Sequence, residues 1–155
     1  MLYQVKSTLH LDIKLALGLV NSGGPKNAPA WVEMPSLMPL VGTPAFRALT
    51  VPVYIRKSFI EESLFEQVVL AMAHELCHVV LNATSHPLRQ QEEAVDLTAM
   101  LLGFRDFYVT GCQRRVEMYV PHPHEAVWEK RHITYSHGYL TIEEVGYAAE
   151  YMTYR

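Results

Sequence analysis

The chain has 155 residues, 50% of them hydrophobic and 19% charged, with 13 Lys+Arg against 16 Asp+Glu. That length suits one domain over 1–155, with enough surface to bury to fold without staples, and the apolar fraction excludes a disordered chain. Basic residues are scattered and doubled only at Arg56-Lys57, Arg114-Arg115 and Lys130-Arg131, which excludes the basic stripe of a dedicated nucleic-acid binder.

Taken in order, residues 9–20 read as a short amphipathic helix stopped by Asn21-Ser22-Gly23-Gly24-Pro25. Asp12 and Lys14 interrupt the approach to Leu15–Val20 and no A-x-A-like cleavage site follows, so this is read as structure and not as a signal peptide. Residues 24–47 hold most of the prolines, and only Trp31-Val32-Glu33-Met34 is strand-like there. From Ala48 to Ile55 apolar Leu49, Val51, Val53 and Ile55 alternate with their neighbours, a strand with one buried face. Pro52 cannot donate to a ladder, which predicts an edge strand or one with a free side. Ser58-Phe59-Ile60-Glu61 reads as a capping box opening a helix to about Leu81. After the turn Asn82–Pro87, with His86 as its cap, a second helix is expected to about Leu102, ending near Gly103. Residues 104–140 are mixed, with a strand expected at Arg115–Val120 and a loop at Pro121-His122-Pro123-His124. Thr141-Ile142-Glu143-Glu144 is a second capping box, opening a closing helix to Tyr154.

The longest uninterrupted apolar run, Val68 to Ala73, falls far short of the ~20 residues a membrane span needs. Cys77 and Cys112 are too few for a disulfide framework. Reduced thiols, and with them a cytoplasmic location, are the expectation.

The first long helix contains His74-Glu75-Leu76-Cys77-His78, an HExxH motif. Histidines four apart on a helix lie one above the other, ~5–6 Å between their Cβ atoms, so two imidazoles can converge on one tetrahedral metal ion. With His78 set at zero on a wheel of ~100° per residue, His74 falls near −40°, Asn82 near +40° and Glu75 near +60°. All other residues from Val68 to Leu81 are apolar, and Cys77 falls away from the polar sector as a small buried residue. Two imidazoles and a carboxylate on a helix otherwise built for burial would cost several kcal/mol without a metal or a full set of partners.

A third ligand is required. On the second helix Glu92, Asp96, Ala99 and Gly103 share a sector about 60° wide, and their small members allow close approach of two helices. Glu93 sits with bulky Leu97 and Met100. Glu92 is therefore preferred to Glu93 as ligand, and Asp96, one turn on, is placed to accept a hydrogen bond from the free ring nitrogen of a ligating histidine.

His74-Glu75-x-x-His78 followed by Glu92-x-x-x-Asp96 resembles the gluzincin metallopeptidases, the thermolysin-like clan, in their small minimal-domain form; the resemblance covers about residues 48–104. It implies a zincin-like fold with Zn2+ held by His74, His78 and Glu92, Glu75 as general base towards water, Asp96 orienting a ligand, and a peptide or protein as substrate. Beyond that span, His137 in Tyr135-Ser136-His137-Gly138-Tyr139 is the candidate donor to an oxyanion, with Tyr135 or Tyr139 behind it. His122 and His124 match no common ligand spacing. Ala48–Ile55 reads either as an ordinary sheet strand or as a strand beside which a substrate peptide adds. The fold class expected is α+β, with a small, mostly antiparallel sheet packed on the HExxH helix, the second ligand-bearing helix beside it and a C-terminal helix. The competing readings are a non-catalytic metal-binding or interaction domain on the same scaffold and a different zinc hydrolase such as an amidase.

Overall fold

The computed structural model describes residues 1–26, 28–121 and 128–153, with the side chains of 114–116, 118, 129, 131–133 and 135 excepted. The fold is α+β, a three-stranded sheet, a separate two-stranded hairpin and helices between and after them.

The N-terminal segment corrects the helix expected over 9–20. Helix α1 spans Leu2–Thr8 and strand β1 spans Lys14–Val20. Leu15, Leu17 and Leu19 also repeat every second residue, and in β1 they pair in register with Val51, Val53 and Ile55. The helix propensity of Leu and Ala is worth only tenths of a kcal/mol per residue, so sheet pairing outweighs it. Gly18 fits the strand too: a Cβ there would fall 2.5 Å from Cδ1 of Tyr54, whose ring lies across it.

Strand β2 spans Ala30–Val32, the short helix α2 spans Pro44–Ala48 and β3 spans Thr50–Arg56. Strand order is β1-β3-β2, with β1 parallel and β2 antiparallel to β3. The sheet is therefore mixed, not mostly antiparallel, and the strand carrying Pro52 is its centre, not its edge. Pro52 is tolerated because of where it faces. Its carbonyl accepts from Glu33 N at 3.0 Å, so its missing N–H also points to the β2 side, just past the last paired residue Val32. β1 pairs along Thr50–Arg56 and β2 along Val53–Ile55, so β3 has no free side over Val53–Ile55 for the substrate strand considered beside Ala48–Ile55. Val51, Val53 and Ile55 are fully buried on the inner face. On the outer face Trp31 stacks on Tyr54 at 5.2 Å.

The helix expected from Ser58 is two helices. Helix α3 (Lys57–Glu62) begins without a side-chain cap and stops at Ser63, which is extended (φ −97°, ψ 158°). Helix α4 (Phe65–Ala83) starts afresh, with Gln67 Oε1 accepting from Leu64 N at 3.1 Å. From Val68 its apolar residues enter the one core, where Ala73, Leu76, Cys77 and Val79 have no exposure. Each large aliphatic side chain buried there stabilises the fold by about 1.5–3 kcal/mol.

The helix expected to bear the third ligand is short. Helix α5 runs Glu92–Ala99, and residues 86–91 form turns in which His86 Nδ1 accepts from Leu88 N, so His86 does not cap the helix. Past α5 the chain makes a wide π-type turn, Met100–Phe104, kinks at Leu102–Gly103 and re-enters helix as α6, Arg105–Gly111. Gly103 has φ +110°, and a Cβ on it would lie 3.2 Å from Thr8 Cγ2. It serves this kink, not the spacing of two helices. Strands β4 (Gln113–Pro121) and β5 (Trp128–Ser136) form an antiparallel hairpin of which only the first strand is legible in the sequence. Helix α7, Ile142–Thr153, opens on the capping box read from the sequence: Thr141 Oγ1 accepts from Glu144 N at 3.2 Å and Glu144 Oε2 from Thr141 N at 2.8 Å. Among the described residues no helix is long and apolar enough to cross a membrane.

Candidate metal centre

Helix α4 supplies His74, Glu75 and His78, and α5, packed against it, supplies Glu92 and Asp96. Three donor atoms converge between the helices. His74 Nε2 lies 3.1 Å from Glu92 Oε2 and 3.2 Å from His78 Nε2, and His78 Nε2 lies 3.2 Å from Glu92 Oε2. The imidazole planes stand at 83° to each other. Glu92, in the first turn of α5, is the carboxylate brought to the triangle; Glu93 is exposed and outside it.

The chemistry of this donor set fits a cation. Asp96 Oδ1 lies 2.7 Å from His74 Nδ1. A neutral His74 that donates from Nδ1 presents only a lone pair at Nε2. That lone pair, the His78 nitrogen and a carboxylate oxygen then face one another within hydrogen-bond distance, an arrangement that a ring proton satisfies in the metal-free chain and that a cation in their midst would satisfy in its place. Bonds of ~2.0–2.1 Å in a tetrahedral zinc site place neighbouring donors ~3.3–3.4 Å apart, close to the spacing here.

Asp96 is wholly buried, and four donors meet its two oxygens. Oδ1 accepts from His74 and from the Tyr108 hydroxyl (2.6 Å), and Oδ2 accepts from the backbone amides of Tyr139 (2.6 Å) and Leu140 (3.3 Å). Burial would raise its pKa, but these bonds and the charge of His74 outweigh burial and hold the carboxyl below its ordinary value. In the metal-free chain burial pulls His74 down, yet Asp96, with Glu75 and Glu92, leaves it above the usual imidazole value. Burial and the charge of His74 lower His78. Burial pushes Glu75 up to about 7, while Glu75 Oε2 accepts from Val32 N at 3.2 Å.

An open cavity of about 640 Å³ has His74 and Glu75 on one wall and runs past Ala71, Leu70, Phe59 and Pro29. His137 lines it, half-buried and edge-on to Phe59 at 5.3 Å, with its pKa lowered by burial. Tyr139 also lines it, its ring stacked on His74 at 5.4 Å and more than half exposed. Cys77 and Cys112 are buried and unbridged, and burial pushes the Cys77 thiol up to about 12. His122, His124 and the side chain of Tyr135 lie outside the described residues.

Sequence reasoning missed Tyr108 and the amides of Tyr139 and Leu140. The amides carry no residue-type signature; the one available pointer was Gly138, beside the aromatic residues already singled out.

No family model matches the chain, and no curated protein or solved structure matches it either.

Proposed function

We propose that this chain is a zinc-dependent peptidase of zincin-like, gluzincin type, with His74, His78 and Glu92 holding the ion. The observation that carries the reading is the triangle of three donor atoms, 3.1–3.2 Å on each side, with Asp96 fixing one imidazole from behind. When bound, zinc supplies the positive charge that polarises a carbonyl and acidifies water.

The chain's own residues do the rest. Glu75 takes a proton from the attacking water and passes it to the leaving amine. A carboxyl brought to about 7 by burial suits proton exchange near neutrality. Val32 N–H holds Oε2, which leaves Oε1 to exchange the proton. His137, in the cavity wall, and Tyr139, stacked on His74, are the donors available to an oxyanion. Leu70, Ala71, Phe59 and Pro29 offer apolar walls to a peptide side chain. The unbridged thiols fit a reducing compartment, the cytoplasm.

The test is metal analysis of the purified protein together with cleavage of a fluorogenic peptide library. Wild type is expected to hold about one equivalent of zinc and to cleave; Glu75→Gln is expected to keep the metal and lose cleavage. Zinc without cleavage across the library would leave a non-catalytic metal domain, and no zinc would end the reading.

A further inference from the structure

Of the four donors to Asp96, two come from a turn more than forty residues away in sequence, between β5 and α7. That turn depends on Gly138. Its φ is +90°, a conformation that L side chains rarely adopt, and a Cβ on it would lie 2.9 Å from Asp96 Oδ2 and 3.5 Å from Tyr108 Cε1. The oxygen it would strike is no free end of a flexible side chain; it belongs to a buried carboxylate held by four donors. The hairpin ahead of the turn packs mainly on itself, and a two-stranded hairpin is marginal alone. Its far end is fastened by the Asp96 bonds and by His137 N donating to Cys112 O at 2.8 Å.

We propose that Gly138 and the turn it permits are a positioning element of the metal centre: the Tyr139 and Leu140 amides hold the Asp96 carboxylate where it accepts a hydrogen bond from Nδ1–H of His74, so that Nε2 keeps its lone pair for the ion. This rests on the reading of His74, His78 and Glu92 as ligands. An imidazole has two neutral tautomers, and the bond at one nitrogen decides which is present. Amide donors to a carboxylate are strong because the acceptor is charged. Losing two of four lets Asp96 move, and His74 with it. Loss of such a supporting partner typically weakens metal binding by about 10–100-fold. The coupling is reciprocal: an ion that fixes His74 also fixes Asp96, and through it the turn.

The experiment uses the full chain as wild type, Gly138→Ala and Gly146→Ala. Gly146 is the control, because a Cβ there meets nothing within 4 Å. Zn2+ affinity is read by competition with a chromophoric chelator, and ligand geometry by the visible absorption of the Co2+ form. Gly138→Ala is expected to bind Zn2+ at least about 10-fold more weakly with altered Co2+ bands, and Gly146→Ala to match wild type. In wild type alone, Zn2+ is expected to slow hydrogen exchange at the Tyr139 and Leu140 amides, a measurement that stands even if Gly138→Ala does not fold. Equal Zn2+ affinity in wild type and Gly138→Ala, or exchange at both amides untouched by Zn2+, overturns the proposal and leaves the ligand assignment standing. A wild type that takes up no Zn2+ defeats the ligand assignment and this proposal together.

Discussion

Glu75→Gln is expected to stabilise the metal-free protein above neutral pH while it abolishes proton transfer. Burial brings Glu75 from 4.5 to about 7 in the folded chain, with His74 and the Val32 amide opposing and Glu92 adding to the shift. Between those values the folded chain keeps a proton that the unfolded chain has released. Stability therefore falls as pH rises through that window; the contribution is whole below 4.5 and gone above about 7. At about 1.4 kcal/mol per pH unit the loss is near 3 kcal/mol, and residual solvent contact of the side chain reduces it to about 2 kcal/mol. Glutamine does not titrate, and its amide oxygen can still accept from Val32 N–H. Urea unfolding in the presence of chelator, at pH 4.5 and pH 8.5, gives the comparison. The two proteins should be nearly equal at the lower pH, and the glutamine variant ahead by about 2 kcal/mol at the higher. A gap of the same size at both pH values would refute the reasoning, because it would show that ionisation of Glu75 is not what costs stability.

Three further outcomes are expected. Glu92→Ala should lose Zn2+ binding by titration, and Glu93→Ala, outside the donor triangle, should retain it; the reverse would move the ligand by one residue. Asp96→Ala leaves a hydroxyl, two backbone amides and an imidazole without their acceptor, which should cost about 3–5 kcal/mol in urea unfolding. A loss under about 1 kcal/mol would mean that water replaces the carboxylate. Gly103→Ala, at φ +110°, should cost about 1–2 kcal/mol, whereas Gly146→Ala, inside α7 with open space around it, should gain about 0.5–1 kcal/mol. Thermal melting compares the two, and opposite signs are the decisive result.

The candidate centre was legible in the sequence because its residues come from helical stretches with a fixed angular repeat. His74, Glu75 and His78 are polar residues on an otherwise apolar helix, and Glu92 and Asp96 share one side of the next. That repeat survives even though α4 starts later than Ser58 and α5 later than Pro87, since shifting the end of a helix does not rotate its middle. The sheet was less legible. Leu15–Val20 satisfies helical propensity and a period of two at once, and only pairing with β3 decides between them. Pro52 restricts one side of its strand, and the sequence does not tell which side needs the donor. Ser63 ends α3 without the glycine or proline that usually marks a stop. Tyr108 was out of reach for a different reason: its place depends on a backbone turn at Gly103, which periodicity does not register.

That kink sets a length. An unbroken helix would carry residue 108 about 18 Å along the axis from residue 96, at ~1.5 Å per residue, too far for a phenol to return. Because the chain doubles back at Leu102–Gly103, the Tyr108 hydroxyl reaches the carboxylate of Asp96 at 2.6 Å. The twelve-residue interval thus works as a gauge, and adding or deleting one residue within it would swing the hydroxyl off its target even if every side chain named here were kept.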